Sequence, residues 1–420
     1  MSDVEGPSRP GVAEVAVWQD AHVAAALASR VETRTQARIL RLLRDEGPLS
    51  RAELADRLRV SRTTVAAEVG RLVELELTED AGPATSRGGR RSTILDFRTD
   101  LRFAGVDIGA TSLDVAITDG RLRVLAKAAE EIDVRDGPET VLPAVLRLLR
   151  DLLEAQPGPW RLAGAGIGVP GPVDFNRGVP VSPPIMPGWD GYPVRDTMAR
   201  ELGCPVLLDN DVNVMALGEQ HSGVARAAQD FLFVKIGTGI GCGIMVGGQM
   251  YRGVNGCAGD IGHITVEETG PVCACGEKGC LEAVFGGAAL ARDALAAAKA
   301  GRSPVLSEIL ERKGALTAAD VGAAATRGDP CAVRMVREGG ARVGLTLAGL
   351  VSFINPGLIV IGGRVANLGH LLLSEIRGVV YRRSLPLATG NMPIVLSELG
   401  DDAGVVGAAR MVSDALYALE

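Results

Sequence analysis

Along the first hundred residues the apolar positions recur with a helical period. In residues 33–45, TRTQARILRLLRD, Ile39, Leu40, Leu42 and Leu43 share one face. Gly47-Pro48 stops that helix. Ser50 opens a second one, SRAELADRLRV, with Glu53 three positions on, the spacing of a reciprocal capping box. Ser61 opens a third, SRTTVAAEVGRLVELEL, which aligns Val65, Val69, Leu72 and Leu75. The turn between the last two, Leu58-Arg59-Val60-Ser61, is short enough for a helix-turn-helix. Two apolar segments that read as strands then flank Gly88-Gly89 and predict a hairpin wing with Arg87, Arg90 and Arg91 at its tip.

After Thr99 the period shortens to that of strands alternating with helices. Phe103–Ile108 and Leu113–Ile117 read as strands joined by the turn Gly109-Ala110-Thr111-Ser112. A second glycine turn, Gly237-Thr238-Gly239, again lies between apolar strands, and a third strand, Ile354–Ile361, runs into Gly362-Gly363. Stretches 139–154, 287–300, 331–350 and 403–419 predict covering helices, so the body is an α/β structure. The domain reading is a flexible tail over 1–30, a winged helix-turn-helix over 31–98, a first α/β lobe over 101–215 and a second over 216–420.

Charge separates the two parts. The net charge is −7, which alone argues against nucleic acid. Residues 32–98, however, hold 13 arginines and 11 acidic residues, a balance of +2, so the rest carries −9. A mildly basic module on an acidic body suits DNA binding. Ser61, Arg62, Thr63 and Thr64, in the first turn of the third helix, are placed to reach bases or phosphates. Arg87, Arg90 and Arg91 suit phosphates or a minor groove. The chain contains no apolar run near the about 20 residues a spanning helix needs, and its polar start lacks the core of a signal peptide. The expectation is a cytoplasmic protein without a membrane partner. Cys204, Cys242, Cys257 and Cys331 are scattered among apolar residues and read as reduced core cysteines.

The densest chemistry lies at His263, Cys273, Cys275 and Cys280, a spacing of H-x9-C-x-C-x4-C. Three thiolates and an imidazole supply the tetrahedral set that zinc favours. Gly276 and Gly279 let the chain turn tightly around one ion, and Glu282 follows directly. Asn210-Asp211 ends a buried strand and opens a helix, so it serves either as a cap or as a polar edge of a cleft.

The run Asp260-Ile261-Gly262-His263, with the knuckle Cys273–Glu282, closely resembles the signature of the ROK family of repressors, open reading frames and sugar kinases. The resemblance extends from about Leu101 to the C-terminus. It implies two RNase-H-like lobes in an actin-like, sugar kinase and heat-shock ATPase fold, with the C-terminal helix packed back on the first lobe. It also implies a sugar site at Gly171, Asn210, Asp211, Asp260, His263 and Glu282, with His263 shared between zinc and sugar. Asp107, Gly109, Thr111, Gly237, Thr238, Gly239, Gly362 and Gly363 match the nucleotide side. In a kinase these would hold ATP and magnesium while Asp211 acts as the base. The sequence departs from the kinase pattern at Ala110, Ser112, Cys242, Asp260 and Arg364, mostly on the ATP side. The winged helix resembles that of the family's repressors. The function implied is a sugar-responsive transcriptional repressor, dimeric or tetrameric, on a double-stranded DNA operator, with an ATP-dependent hexose or amino-sugar kinase that also binds DNA as the alternative.

Overall fold

The computed structural model describes residues 31–83, 93–368 and 370–417. The segment read as a tail, and the wing tip with Arg87, Arg90 and Arg91, lie outside them. The N-terminal module comprises α1 (Arg34–Glu46), β1 (Leu49–Ser50), α2 (Arg51–Leu58), α3 (Arg62–Glu74), β2 (Thr78–Pro83) and β3 (Thr93–Phe97). The capping box is formed: Glu53 N donates to Ser50 Oγ at 3.2 Å and Ser50 N to Glu53 Oε2 at 2.8 Å. The turn into α3 is made by Arg59 in the left-handed region, φ 56°, a conformation that favours glycine or asparagine. β1, β3 and β2 form an antiparallel sheet in that order.

The first lobe is built from β4 (Leu101–Ile108), β5 (Ser112–Thr118), β6 (Val124–Glu131), α4 (Pro138–Glu154), β7 (Arg161–Val169), the short pair β8 (Val173–Asp174) and β9 (Val179–Pro180), α5 (Val194–Leu202) and β10 (Val206–Asn210). Its sheet runs β10-β7-β4-β5-β6. The helix α6 (Asp211–Ser222) leads to β11 (Phe231–Ile236), β12 (Ile240–Val246) and β13 (Gln249–Met250). There follow α7 (Leu281–Phe285), α8 (Gly287–Lys299), α9 (Pro304–Lys313), α10 (Ala318–Thr326) and α11 (Pro330–Ile354). The chain closes with β14 (Leu358–Gly362), α12 (His370–Arg383), α13 (Pro386–Thr389), β15 (Ile394–Leu396) and α14 (Asp402–Leu416). The second sheet runs β13-β12-β11-β14-β15.

Read from the meander outward, the two sheets have one topology: three antiparallel strands, then two parallel ones. Parallel strands need covering on both faces, which is why β7 and β14 are apolar almost throughout and β10 is apolar until Asp209-Asn210 at its cleft end. The exception in the second sheet is Lys235, a charge within the buried strand FLFVKI.

α14 crosses back over β4 and β7 and packs on α6. Its end reaches the N-terminal module, where Tyr417 stacks on Phe97 at 5.8 Å and meets Phe103 edge-on at 6.4 Å. Cys204, Cys242 and Cys331 are buried and free, but Cys257 is exposed. Its loop lies at the mouth of a cleft, so reading it as a core cysteine is corrected.

Candidate functional site

The loop from Ile261 to α7 gathers four ligand groups. A short helical turn, Ile261–His263, presents the imidazole, and isolated bridges between Val272 and Lys278 and between Thr265 and Cys280 close the chain on itself. Gly276 and Gly279 turn with φ 96° and 68°, and a side chain at 279 would collide with the Glu267 carbonyl. As a result the ligand atoms of His263, Cys273, Cys275 and Cys280 all lie within 4.8 Å of one another. The His263 Nδ1 to Cys273 Sγ distance is 3.4 Å and the Cys275 to Cys280 Sγ distance is 3.7 Å. Tetrahedral Zn–S bonds of about 2.3 Å place sulfurs about 3.8 Å apart, so the donor set and its spacing fit a metal ion.

The other face of His263 looks into a cleft between the lobes. Its Nε2 lies 3.9 Å from Asp260 Oδ1. Gly171, Asn210, Asp211, Asp260, His263 and Glu282 line one cavity of about 130 Å³. They come from the ends of β7 and β10, the loop after β13, and the first turn of α7. Burial pushes the Asp260 and Glu282 carboxyls above their ordinary range. Glu282 Oε2 accepts from Ile240 N at 3.1 Å, which ties the knuckle to the second glycine turn. Asn210 does cap α6, accepting from Val212 N at 2.9 Å, and it donates to Gly171 O at 2.9 Å. The capping and cleft-edge readings therefore describe one residue at once.

A second pocket adjoins the first. Asp107, Gly109, Thr111, Gly237, Thr238 and Gly363 line it, together with Arg364, while Gly239 lines the first cavity. Gly362 lines neither. It lies under Phe233, where a side chain would meet the ring. Two residues at or beside the site escaped notice in the sequence. Arg252, outside both cavities, donates to Asp209, the neighbour of Asn210, at 2.8 Å and rests on the Phe175 ring at 4.0 Å. Lys235 pairs with Asp211 and lines both pockets. A lysine inside an apolar strand was a legible signal for the second.

The pattern of the ROK family matches residues 103–415. The chain belongs to the ROK family. A MarR family pattern also matches residues 33–81. The xylose repressor of Caldicellulosiruptor bescii is 29% identical over 380 residues, covering 89% of this chain and 94% of its own length. The crystal structure of a ROK family transcriptional regulator, a homologue of the E. coli MLC protein, superposes with a TM-score of 0.78 at 25% identity, covering 91% and 96% of the two chains. A ROK family glucokinase from Streptomyces griseus, in complex with glucose and AMPPNP, has a TM-score of 0.67 at 31% identity. That match covers 98% of the kinase but 74% of this chain. The kinase thus corresponds to the body alone, and the regulators to body plus winged helix.

In this ROK protein, Ser61, Arg62, Thr63 and Thr64 are all exposed at the start of α3. Ser61 Oγ accepts from Thr64 N at 3.0 Å, so Ser61 acts first as the cap. Ala66, Ala67 and Gly70 continue the exposed face with small groups, leaving the helix slim enough for close approach to a groove.

Helix α14 also joins the two parts by charge. Arg44 of α1 is buried and donates to Asp414 at 2.7 Å and Ser413 at 3.1 Å. Arg410 donates to Asp414 at 2.7 Å and lies 3.2 Å from His221 Nδ1, at the end of α6. Burial, then Arg410 and Arg44, hold the His221 pKa down to about 4 against the opposing pull of Asp45. The unfolded imidazole takes up its proton near pH 6.5, so stability is full above that pH and falls as pH drops toward 4. The loss approaches about 3 kcal/mol. His221→Gln is expected to flatten the stability profile between pH 7 and 5, measured by denaturant unfolding. Burial raises Asp107, whose stability trend therefore runs the opposite way, but it is common to both proteins and cancels. An unchanged profile would show that His221 is not held neutral.

Proposed function

We propose that this protein is a sugar-responsive DNA-binding transcriptional repressor. The observation that carries the reading is the convergence of Gly171, Asn210, Asp211, Asp260, His263 and Glu282 on one cleft, in a chain whose winged helix is bonded to the same body. Planar carboxylates, an amide and an imidazole suit sugar hydroxyls, since a hydroxyl buried without a partner is costly. Relatives with both parts are named as repressors and regulators.

Zinc at His263, Cys273, Cys275 and Cys280 would hold the loop that presents His263 and Glu282 to the sugar. His263 Nδ1, which faces Cys273, would be the atom to hold the metal, and this would fix the tautomer and leave Nε2 for a hydroxyl. Ser61, Arg62, Thr63 and Thr64 would contact the operator, joined by Arg87, Arg90 and Arg91 of the wing. Sugar binding alters the closure of the lobes, and α6 and α14 carry that change to the winged helix. A homodimer or homotetramer would place paired winged helices on a near-palindromic site.

The second reading is a hexose or amino-sugar kinase with Asp211 as the base and ATP and magnesium at Asp107, Gly109, Thr111, Gly237, Thr238, Gly239 and Gly363. The glucokinase relative favours it, and the pairing of Asp211 with Lys235 weighs against it. Both readings meet in one experiment. A selected operator is titrated with full-length protein across a panel of hexoses, pentoses and amino sugars, with ADP release followed in parallel. A repressor releases DNA with one sugar, without turnover, and Glu282→Gln abolishes the response. Sugar-dependent ADP release would instead select the kinase reading.

A further inference from the structure

Lys235 stands where the lobes' two ligand pockets meet, lining the sugar-side cavity and the phosphate-side pocket alike. Its ammonium pairs with the Asp211 carboxylate, and the side chains are 17% and 4% exposed. Asp107 lies close by, 6% exposed, with an Oδ1 atom that has no hydrogen-bond partner. Burial disfavours the lysine's charge, but Asp211 and Asp107 outweigh it and hold its pKa above the ordinary value.

The charges around this junction are unequal. Asp107, Asp114 and Asp401 line the phosphate-side pocket with Asp211 just behind, against Lys235 and Arg364. A nucleoside triphosphate would add negative charge and would need a divalent ion bridging Asp107 and the phosphates. The place for that ion's charge is already taken by an ammonium fixed to the chain. A base for a sugar hydroxyl needs a free lone pair of adequate basicity, and an ion-paired carboxylate is a poor one. The residues present therefore do not fit a magnesium-bound nucleotide.

We infer that Lys235 is a built-in cation that, paired with Asp211 and close to Asp107, takes the place of a divalent metal ion, so that the cleft presents Asp211 as a fixed hydrogen-bond acceptor rather than as a base. Lys235 is thus a positioning residue: it acts on a ligand through Asp211. The inference shares its cleft with the sugar reading, but its test contains no sugar, so either can fail alone.

The test is Mn²⁺ binding to full-length, zinc-loaded protein, followed by electron paramagnetic resonance of the free ion. Wild type is expected to bind Mn²⁺ no better than Asp107→Asn. Lys235→Met removes the ammonium at similar volume and leaves the two buried carboxylates of Asp107 and Asp211 without its charge, so Mn²⁺ binding should tighten by roughly tenfold or more. Lys235→Met/Asp107→Asn should return to the wild-type level, and Lys235→Arg should still exclude the ion. A merely structural lysine would change stability in these variants without creating a metal site. A folded Lys235→Met that binds Mn²⁺ no more tightly than wild type overturns the inference. So does wild-type binding that Asp107→Asn or Asp211→Asn abolishes, a comparison that holds even if Lys235→Met does not fold.

Discussion

Arg44→Ala is expected to separate sugar binding from DNA release. The guanidinium is 1% exposed and bridges α1 to Asp414 and Ser413 of α14. Removing it leaves a buried gap and withdraws one of the two arginines that hold the Asp414 carboxyl near 2, well below its usual range. Breaking a buried pair costs about 3–5 kcal/mol. Arg410 remains on Asp414 and that carboxylate is 35% exposed, so the lower end, roughly 3 kcal/mol, is the expected loss. The loss should fall on the seam between module and body. Backbone amides of α1 should exchange faster while those of β7 and β14 keep their protection. Sugar affinity should change little, because the cleft residues lie on other elements. The sugar-induced drop in operator affinity should shrink to about twofold or less, from the 5–150-fold that coupling energies usually span. Arg44→Lys, with one charged donor group in place of a fork, should recover part of it. A folded Arg44→Ala that still releases DNA normally on adding sugar would remove this seam from the signalling route.

The largest effect on the body should come from the metal cluster. Cys280 is fully buried, and Cys280→Ser replaces a thiolate with a much poorer ligand for a borderline-soft ion. The variant is expected to purify with far less than one zinc per chain, measured by inductively coupled plasma spectrometry. Its melting temperature should lie well below that of the parent, since binding energy at such sites is folding energy, on the order of 10 kcal/mol in small zinc peptides. Sugar-induced stabilisation should vanish with the zinc, because His263 and Glu282 reach the cleft from this loop. Operator binding without sugar should persist, because the winged helix packs through Leu40, Leu54 and Val69 on a core it shares with the body, and that core contains no residue of the metal loop. Full sugar-dependent stabilisation in a zinc-free protein would show that the loop holds its shape without the ion. Acidification acts in the same direction, because protons compete for the imidazole and thiolates.

The N-terminal module was legible because its signals are local. A capping box, a stop at Gly47-Pro48 and a 3.6-residue apolar period each act within one or two turns, and α1, α2 and α3 stand within one to three residues of the expected bounds. The knuckle was legible for the same reason: eight consecutive positions hold three cysteines and two turn glycines. What escaped notice depends on contacts between distant segments. Arg59 takes a left-handed conformation because the helices on either side pack against one core. Gly362 was read as lining a nucleotide site, but its lack of a side chain makes room for Phe233 of the neighbouring strand. Cys257 was read as core, and only the course of its loop past the cleft exposes it.

By itself, then, the sequence determined the elements, the winged helix and the metal-capable cluster, since each depends on composition and spacing within a short stretch, while the residues expected to face a sugar came from the family resemblance. Tertiary structure alone decided the electrostatics of the cleft. Lys235 and Asp211 are 24 positions apart and meet because β11 and the start of α6 point into one interlobe space. Arg44 and Asp414 are 370 positions apart and meet because α14 returns across the first lobe to the N-terminal module. Charge interactions depend on distance through space and on burial, and neither quantity is carried by separation along the chain.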